Sequence, residues 1–361
     1  MLKLIHGADF HLDSPFSGLT PEQAAHRRGE QRQLLGDLAR VAREKEADLV
    51  LLSGDLMDSA RLYRETAQAL AQALGSIPCP VFISPGNHDS YSFRSVYATL
   101  DWPDNVHIFT SNTVEAVELP ARNCTVYGRA FCAAQEEVRP LANFRANRDS
   151  GRIQLMCLHA DLAPQSRYAP ISPSEIAASG LDYLALGHIH QCTGLQQLGG
   201  TYWAYPGCPE GRGFDETGEK GVLYAEVERG FARAQFIPLA RHRYEILPVD
   251  ITGRQPLEAI LAALPEQTGA DIYRILLTGE GDAPHVPALQ RALAPRFWGL
   301  TLLDHTRPPQ DLWARRGEDS LTGLFLQAMW SKCQAEPDNQ LLPLALRFGL
   351  AALEQGEDVA P

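Results

Sequence analysis

Short apolar runs, each closed by a polar cluster, are the dominant pattern along this chain. Leu2 to Ile5, Asp48 to Leu52, Val81 to Ser84, Ile153 to Leu158 and Tyr183 to Leu186 have the length and continuous hydrophobicity of strands covered on both faces. Pro21 to Lys45 and Tyr63 to Leu74 read as helices lying between the first three strands. Further on, Ala116 to Leu119, Thr125 to Arg129, Thr201 to Ala204, Gly221 to Val227 and Ala234 to Pro238 are strand-like, with turns between them. This order predicts an α/β (α+β) fold, a two-sheet sandwich flanked by helices.

The polar clusters that end the first five runs are Asp9-Phe10-His11, Gly54-Asp55, Gly86-Asn87-His88-Asp89, His159 and Gly187-His188-Ile189-His190. Polar side chains waiting at strand ends predict one shared active-site edge. Residues i and i+2 of an extended segment face the same way, about 6.5 to 7 Å apart. Asp9 therefore points with His11, and His188 with His190. The second pair suits one ligand to each of two ions about 3.5 to 4 Å apart, with Asp55 able to bridge them. Asp9, His11, Asp55, Asn87, His159, His188 and His190 mix imidazole with oxygen donors and include no thiolate, a set that favours Mn, Fe or Zn over Ca or Mg. Such a cationic pair can bind phosphate oxygens, lower the pKa of a water toward neutrality and offset charge on a leaving oxygen. Phosphoester hydrolysis is the chemistry this pattern predicts.

In these ordered blocks the chain resembles the calcineurin-like metallophosphoesterases, over roughly its first 230 residues. Within them it is similar to the SbcD-type DNA repair exonucleases, in a YhaO-like bacterial branch. That narrower resemblance rests on His11-Leu12-Asp13-Ser14-Pro15-Phe16, on Tyr168-Ala169-Pro170, and on Tyr205-Pro206-Gly207 with Gly211-Arg212 and Glu216-Thr217-Gly218. Cys208 stands where relatives more often carry serine or asparagine, a departure that touches the outer loop and not the metal blocks. The resemblance implies manganese as the usual metal. One ion would be held by Asp9, His11, Asp55 and His190, and the other by Asp55, Asn87, His159 and His188. His88 would protonate or stabilise the leaving oxygen. Asp89 could orient it, and Asp58 would either support that group or cap the following helix. The function implied is a two-metal DNA nuclease, with exonuclease and endonuclease activity sharing this machinery. A small-molecule phosphodiesterase or phosphoprotein phosphatase would use the same chemistry. A noncatalytic scaffold would be marked by lost ligands, and all seven are present.

Residues 1–240 are expected to form the metallophosphoesterase domain. From Tyr244 to Leu303 the pattern turns to strand, helix, strand, helix, strand: Tyr244 to Ile251, Leu257 to Leu264, Ile272 to Thr278, Val286 to Leu293 and Trp298 to Leu303. This βαβαβ segment, residues 241–307, resembles the capping domain of SbcD-type nucleases, with a scaffold or dimerisation lobe as the alternative. A Pro308-Pro309 linker opens residues 308–361, where Ser320 can cap a helix whose Leu321, Leu324, Phe325, Ala328 and Met329 form one stripe. Leu341 to Leu353 supplies a second apolar helix. By resemblance these helices would dock an SbcC-type coiled-coil ATPase, or simply pack on their own chain.

Charge complicates a DNA reading. Net charge is −12, whereas nonspecific DNA affinity comes from Lys and Arg neutralising phosphates. Part of the excess sits beyond Gly317, with seven acidic and two basic residues. Arg122 to Arg152 carries six arginines against three acids, and Arg61, Arg64, Arg94, Arg167 and Arg212 follow ligands, so a local basic groove is expected beside the metals. Seven cysteines without a Cys-x-x-Cys suit reduced thiols. No run has the length of a membrane span or a signal segment, so the expected location is cytoplasmic.

Overall fold

The computed structural model describes residues 1–17, 19–59, 62–280, 284–307, 311–336, 339 and 341–355. Pro308-Pro309 and Arg61 lie outside them. Two compact units are present, one of residues 1–245 with 270–272, the other of residues 246–269 with 273–361.

The first unit contains two six-stranded sheets. In chain order its strands are β1 (Leu2–Gly7), β2 (Leu49–Leu52), β3 (Val81–Ile83), β4 (Val106–Ile108), β5 (Glu115–Leu119), β6 (Cys124–Gly128), β7 (Ile153–His159), β8 (Tyr183–Gly187), β9 (Gln196–Leu198), β10 (Thr201–Ala204), β11 (Gly221–Glu228) and β12 (Phe231–Pro238). One sheet runs β12-β11-β1-β2-β3-β4 and the other β5-β6-β7-β8-β10-β9. In the first sheet β1-β2-β3-β4 run parallel while β11 is antiparallel to both β1 and β12; in the second β6-β7-β8-β10 run parallel, with an antiparallel pair at each edge.

Continuous hydrophobicity in these runs has a direct cause: each central strand buries both faces. Leu4, Leu49, Leu51 and Phe82 point inward to meet Leu155, Cys157, Tyr183 and Ala185 of the second sheet. Their neighbours Ile5, Val50, Leu52, Val81 and Ile83 face the opposite way, against Leu34, Leu35, Leu38, Leu70 and Leu74. Those leucines come from helices α1 (Pro21–Glu44) and α2 (Arg64–Gly75). On the outer face of the second sheet, Met156, Leu158, Leu184 and Leu186 pack with Leu141, Ile171 and Ile176. Thr20 starts α1 by a capping box with Gln23, and Pro21 occupies its first turn. Two further short helices are α3 (Val96–Thr99) and α4 (Pro173–Ala178).

The strands β13 (Tyr244–Asp250), β14 (Ile272–Thr278) and β15 (Gly299–Asp304), which belong to the second unit except for Tyr244, Glu245 and Ile272, form a three-stranded sheet. Helices α5 (Pro256–Ala263) and α6 (Val286–Leu293) share its core through Ile260 and Leu293, with Ile275 and Leu277 from the sheet. Helices α7 (Leu321–Ala335) and α8 (Leu341–Gln355) meet through Leu326, Met329, Leu346 and Leu350. Ser320 caps α7, accepting from the amide of Gly323. The buried stripe of α7 differs from the expected one. Gly323, Leu326 and Met329 are buried, while Leu321 and Leu324 are 69% and 63% exposed. Apolar residues lie on more than one face of the helix, and Gly323 sits where a Cβ would meet the carbonyl of Glu318.

Candidate metal centre

Strands β1, β2, β3, β7 and β8 lie side by side in register within their sheets, so their C-terminal ends share one edge. Asp9 and His11 follow β1, Asp55 follows β2, Asn87 and His88 follow β3, His159 ends β7, and His188 and His190 follow β8. Backbone shape at this edge is unusual. Asp9, His11, Asp55 and His188 have φ of 55°, 44°, 50° and 110°. Non-glycine residues adopt such values at a cost and concentrate where side chains must be aimed. Asp9 and Asp55 are held there by main-chain bonds: the Asp9 amide donates to the Gly54 carbonyl, and the His11 amide to that of Asp55, both at 3.0 Å.

The side chains converge. Asp9, His11 and His190 bring ligand atoms within 4.8 Å of one another, as do Asp9, Asp55 and His159. His159 Nε2 is 2.9 Å from Asn87 Oδ1 and 3.5 Å from Asp55 Oδ2. His188 closes the group, its ring edge-on to that of His159 with centroids 5.2 Å apart and its amide donating to both oxygens of Asp9 at 3.1 Å. Glycines make room for this closeness. A Cβ on Gly54 would lie 2.5 Å from His159 Nδ1, and one on Gly86 would lie 2.6 Å from the amide nitrogen of Asp55.

Hydrogen bonding behind the imidazoles indicates what the group can hold. His159 Nδ1 faces the Ser53 carbonyl at 2.9 Å and must donate to it, which leaves a lone pair on Nε2 toward Asn87 Oδ1. His190 Nδ1 donates to Glu216 Oε1 at 2.6 Å. His11 Nδ1 faces Asp58 Oδ1 at 3.2 Å, off the line of a full hydrogen bond. The Nε2 atoms of His11 and His190 meet at 3.2 Å, and with both Nδ1 protons turned to their carboxylates each Nε2 would carry a lone pair there. Lone pairs aimed at one another in a buried space are what a cation would relieve, and carboxylate- or carbonyl-backed histidines are the usual form of metal-binding imidazoles.

Electrostatics favours the metal-binding form at two imidazoles and opposes it at Asp9, where a cation would offset the crowded negative charge. Burial, with the neighbouring Asp55 charge, pushes Asp9 well above the ordinary carboxylate range. Burial also works to raise Asp55, but the imidazoles of His159, His11 and His88 outweigh it and hold Asp55 low. Burial lowers His11 to about 4, and burial with His159 lowers His188 to about 4. Neutral imidazoles are the metal-binding form.

The chain belongs to the calcineurin-like phosphoesterases. The model of that family matches residues 2–192. Over 273 residues, 72% of this chain, it is 30% identical to the protein named uncharacterized metallophosphoesterase YhaO of Bacillus subtilis (strain 168). Over 270 residues, 70% of this chain, it is 27% identical to the DNA double-strand break repair protein Mre11 of Aeropyrum pernix. These matches span 65% and 64% of the two relatives' own lengths. Calcineurin-like phosphoesterases are hydrolases of phosphoester bonds that use a dinuclear divalent metal site, and this chain carries candidate ligand clusters for one.

Around this phosphoesterase centre several expectations need correction. Asp89 does not orient His88. It is buried and accepts from the amides of Gly86, Leu56 and Met57 and from the hydroxyl of Tyr97, while burial raises its pKa to about 6. Adjacent residues in the turn face opposite ways, so His88 is exposed and Asp89 points into the core. His88 Nδ1 faces the main-chain carbonyl of Asp58 at 3.0 Å instead. Nor does Asp58 cap α2, whose N-cap is Tyr63; its carboxylate serves His11, Ser14 and Arg212. The expected basic groove is largely neutralised. Arg122, Arg139, Arg148 and Arg152 pair with Asp48, Glu175, Asp182 and Glu118, and Arg129 is buried against Glu136. Arg167 pairs with Glu137, and Arg212 with Asp58 and Glu216.

Some contributors had no role assigned from sequence. Asp161 lies 3.7 Å from His188 Nε2, and the Tyr168 ring sits 5.0 Å from the ring of His188. Glu216 stood out only as part of an outer motif, Arg212 as part of that motif and of the expected basic groove, and nothing local marked Ser53. Among the described residues no helix is long and apolar enough to cross a membrane.

Proposed function

We propose that this chain is a two-metal phosphodiesterase that cuts DNA, with Asp9, His11, Asp55 and His190 holding one ion and Asp55, Asn87, His159 and His188 the other. The observation that carries the reading is the convergence of imidazoles, two of them backed by the Ser53 carbonyl and the Glu216 carboxylate, with two carboxylates on one buried space. When bound, two such ions supply Lewis acidity to a phosphoryl group, a nucleophile from water near neutral pH and charge compensation for the leaving oxygen. Manganese fits the mixed donors, as do iron and zinc. His88 stands exposed at the rim with Nδ1 held by the Asp58 carbonyl. In its imidazolium form, Nε2 is free to give a proton to the departing oxygen.

DNA as substrate is supported by the Mre11 relative, whose name describes double-strand break repair. Residues 1–240 would act as the nuclease domain and 241–307 as a cap shaping access. Residues 308–361 would dock a coiled-coil ATPase, a role to which the exposed Leu321, Leu324 and Leu341 are suited, while 241–307 would serve as a dimerisation lobe if the chain forms a homodimer. Seven unpaired cysteines fit a cytoplasmic setting. A small-molecule phosphodiesterase or phosphoprotein phosphatase is the second reading, favoured by the net charge of −12 and the neutralised arginines. Digestion of 5′- and 3′-labelled duplex and single-stranded DNA with Mn²⁺, run beside cyclic nucleotides and phosphopeptides, separates the two. Intact DNA alongside a hydrolysed small substrate would overturn the nuclease reading.

A further inference from the structure

Behind the two imidazoles assigned to the first ion stand two carboxylates, and one guanidinium joins them. Arg212 Nη1 donates to Asp58 Oδ1 at 3.1 Å, while Arg212 Nε and Nη2 donate to Glu216 Oε1 at 3.2 and 2.6 Å. Asp58 faces His11 and Glu216 accepts from His190. We infer that Arg212 is a positioning residue for one ion of the pair, an inference that rests on the dinuclear reading above. It fixes the separation of two carboxylates that come from distant segments, its own Nη2 lying 3.2 Å from His190 Nδ1, and thereby the aim of both Nε2 atoms.

The scaffold around Arg212 is built for this. Its own amide donates to Glu216 Oε2 at 2.8 Å, folding residues 212–216 into a tight loop. Buried Arg27 of α1 donates to the Gly211 carbonyl at 3.0 Å, and Gln31, one turn further along, donates to the His11 carbonyl at 3.1 Å. One helix thus holds both segments. The other ion's ligands are backed differently, since His159 relies on the neutral Ser53 carbonyl and Asn87 needs no backing. Loss of Arg212 should therefore reach one ion and spare the other.

Charge and geometry make opposite predictions here. Arg212 is a cation beside a cation site, so removing it would tighten metal binding if Coulomb repulsion decided the outcome. If orientation decides, binding weakens by the 10- to 100-fold typical of lost partners behind metal-binding imidazoles. Lysine keeps the charge but cannot fork to two carboxylates.

The test is titration of metal-stripped full-length chain with Mn²⁺ alone, read by calorimetry and by electron paramagnetic resonance, for wild type, Arg212→Ala, Arg212→Lys and Glu216→Gln. Wild type should take up two ions and show the spectrum of a spin-coupled pair. Arg212→Ala should retain one ion within about twofold, weaken the other by about 10-fold or more and show an uncoupled six-line spectrum at one equivalent. Arg212→Lys and Glu216→Gln should move the same way, and they carry the test if the alanine variant melts before metal is added. Two ions bound with unchanged or higher affinity in all three variants would overturn the inference. Wild type binding fewer than two ions would overturn the dinuclear reading and this inference with it.

Discussion

Gly54→Ala is the perturbation whose cost can be worked most fully from the geometry. Gly54 has φ of 87°, where an alanine pays roughly 1–2 kcal/mol in backbone strain. Its new Cβ would sit 2.5 Å from His159 Nδ1, 2.8 Å from Cγ of the same ring and 2.9 Å from the Gly86 Cα. The His159 ring is buried with the edge of Phe131 packed near it, so it can move only by giving up its 2.9 Å bond to the Ser53 carbonyl. A buried donor left without its acceptor costs about 1–3 kcal/mol. The whole penalty should reach about 2–5 kcal/mol in urea unfolding, and Mn²⁺ affinity should fall at least about tenfold because His159 Nε2 no longer faces Asn87. Gly230→Ala is the matched control, with φ of 75° and no atom within 4 Å of the added carbon. It should cost only the strain, about 1–2 kcal/mol, and leave metal binding alone. If both variants lose the same stability and Gly54→Ala binds Mn²⁺ like wild type, the close-packed account of this edge is wrong.

Other outcomes follow from individual contacts. His88→Ala should lower hydrolysis by about 10²- to 10⁴-fold while metal content, counted by mass spectrometry, stays at two per chain; unchanged turnover would remove His88 from the mechanism. Asp89→Asn should act on stability and not on the pH profile, costing about 1–3 kcal/mol in urea because the amide cannot accept from Gly86 and from the Leu56, Met57 and Tyr97 donors at once. A shifted pH profile at full stability would restore Asp89 as a partner of His88. Buried His6, between the Tyr183 hydroxyl and the Leu186 carbonyl, is lowered by burial from 6.5 to about 3. The unfolded chain then binds more protons between those values, so stability falls with acidification through that window by about 1.4 kcal/mol per pH unit. Wild type should lose about 1.6 kcal/mol more than His6→Gln between pH 6.5 and 5, and parallel losses would contradict the burial argument.

Much of the fold was legible because a strand buried on both faces leaves an uninterrupted apolar run. Leu49 and Leu51 serve one core while Val50 and Leu52 serve another, and no polar residue interrupts them. Strands β4 and β9 left no such mark, being three residues long and partly exposed. The candidate ligands were visible because each closes such a run. Their supports were not, since Glu216 reaches His190 from 26 residues away and Asp58 reaches His11 across two strands. Proximity in sequence misled at Asp89, where a turn reverses facing between neighbours. Charge counting misled at Arg122 to Arg152, because the balancing carboxylates Asp48, Glu118, Glu175 and Asp182 lie outside that window.

The most direct measurement is anomalous scattering from crystals grown with Mn²⁺. The account predicts two peaks about 3.5 to 4 Å apart, one bounded by Asp9, His11 and His190, the other by Asn87, His159 and His188, with Asp55 between them. A single peak, or manganese bound away from the ends of β1, β2, β3, β7 and β8, would contradict it.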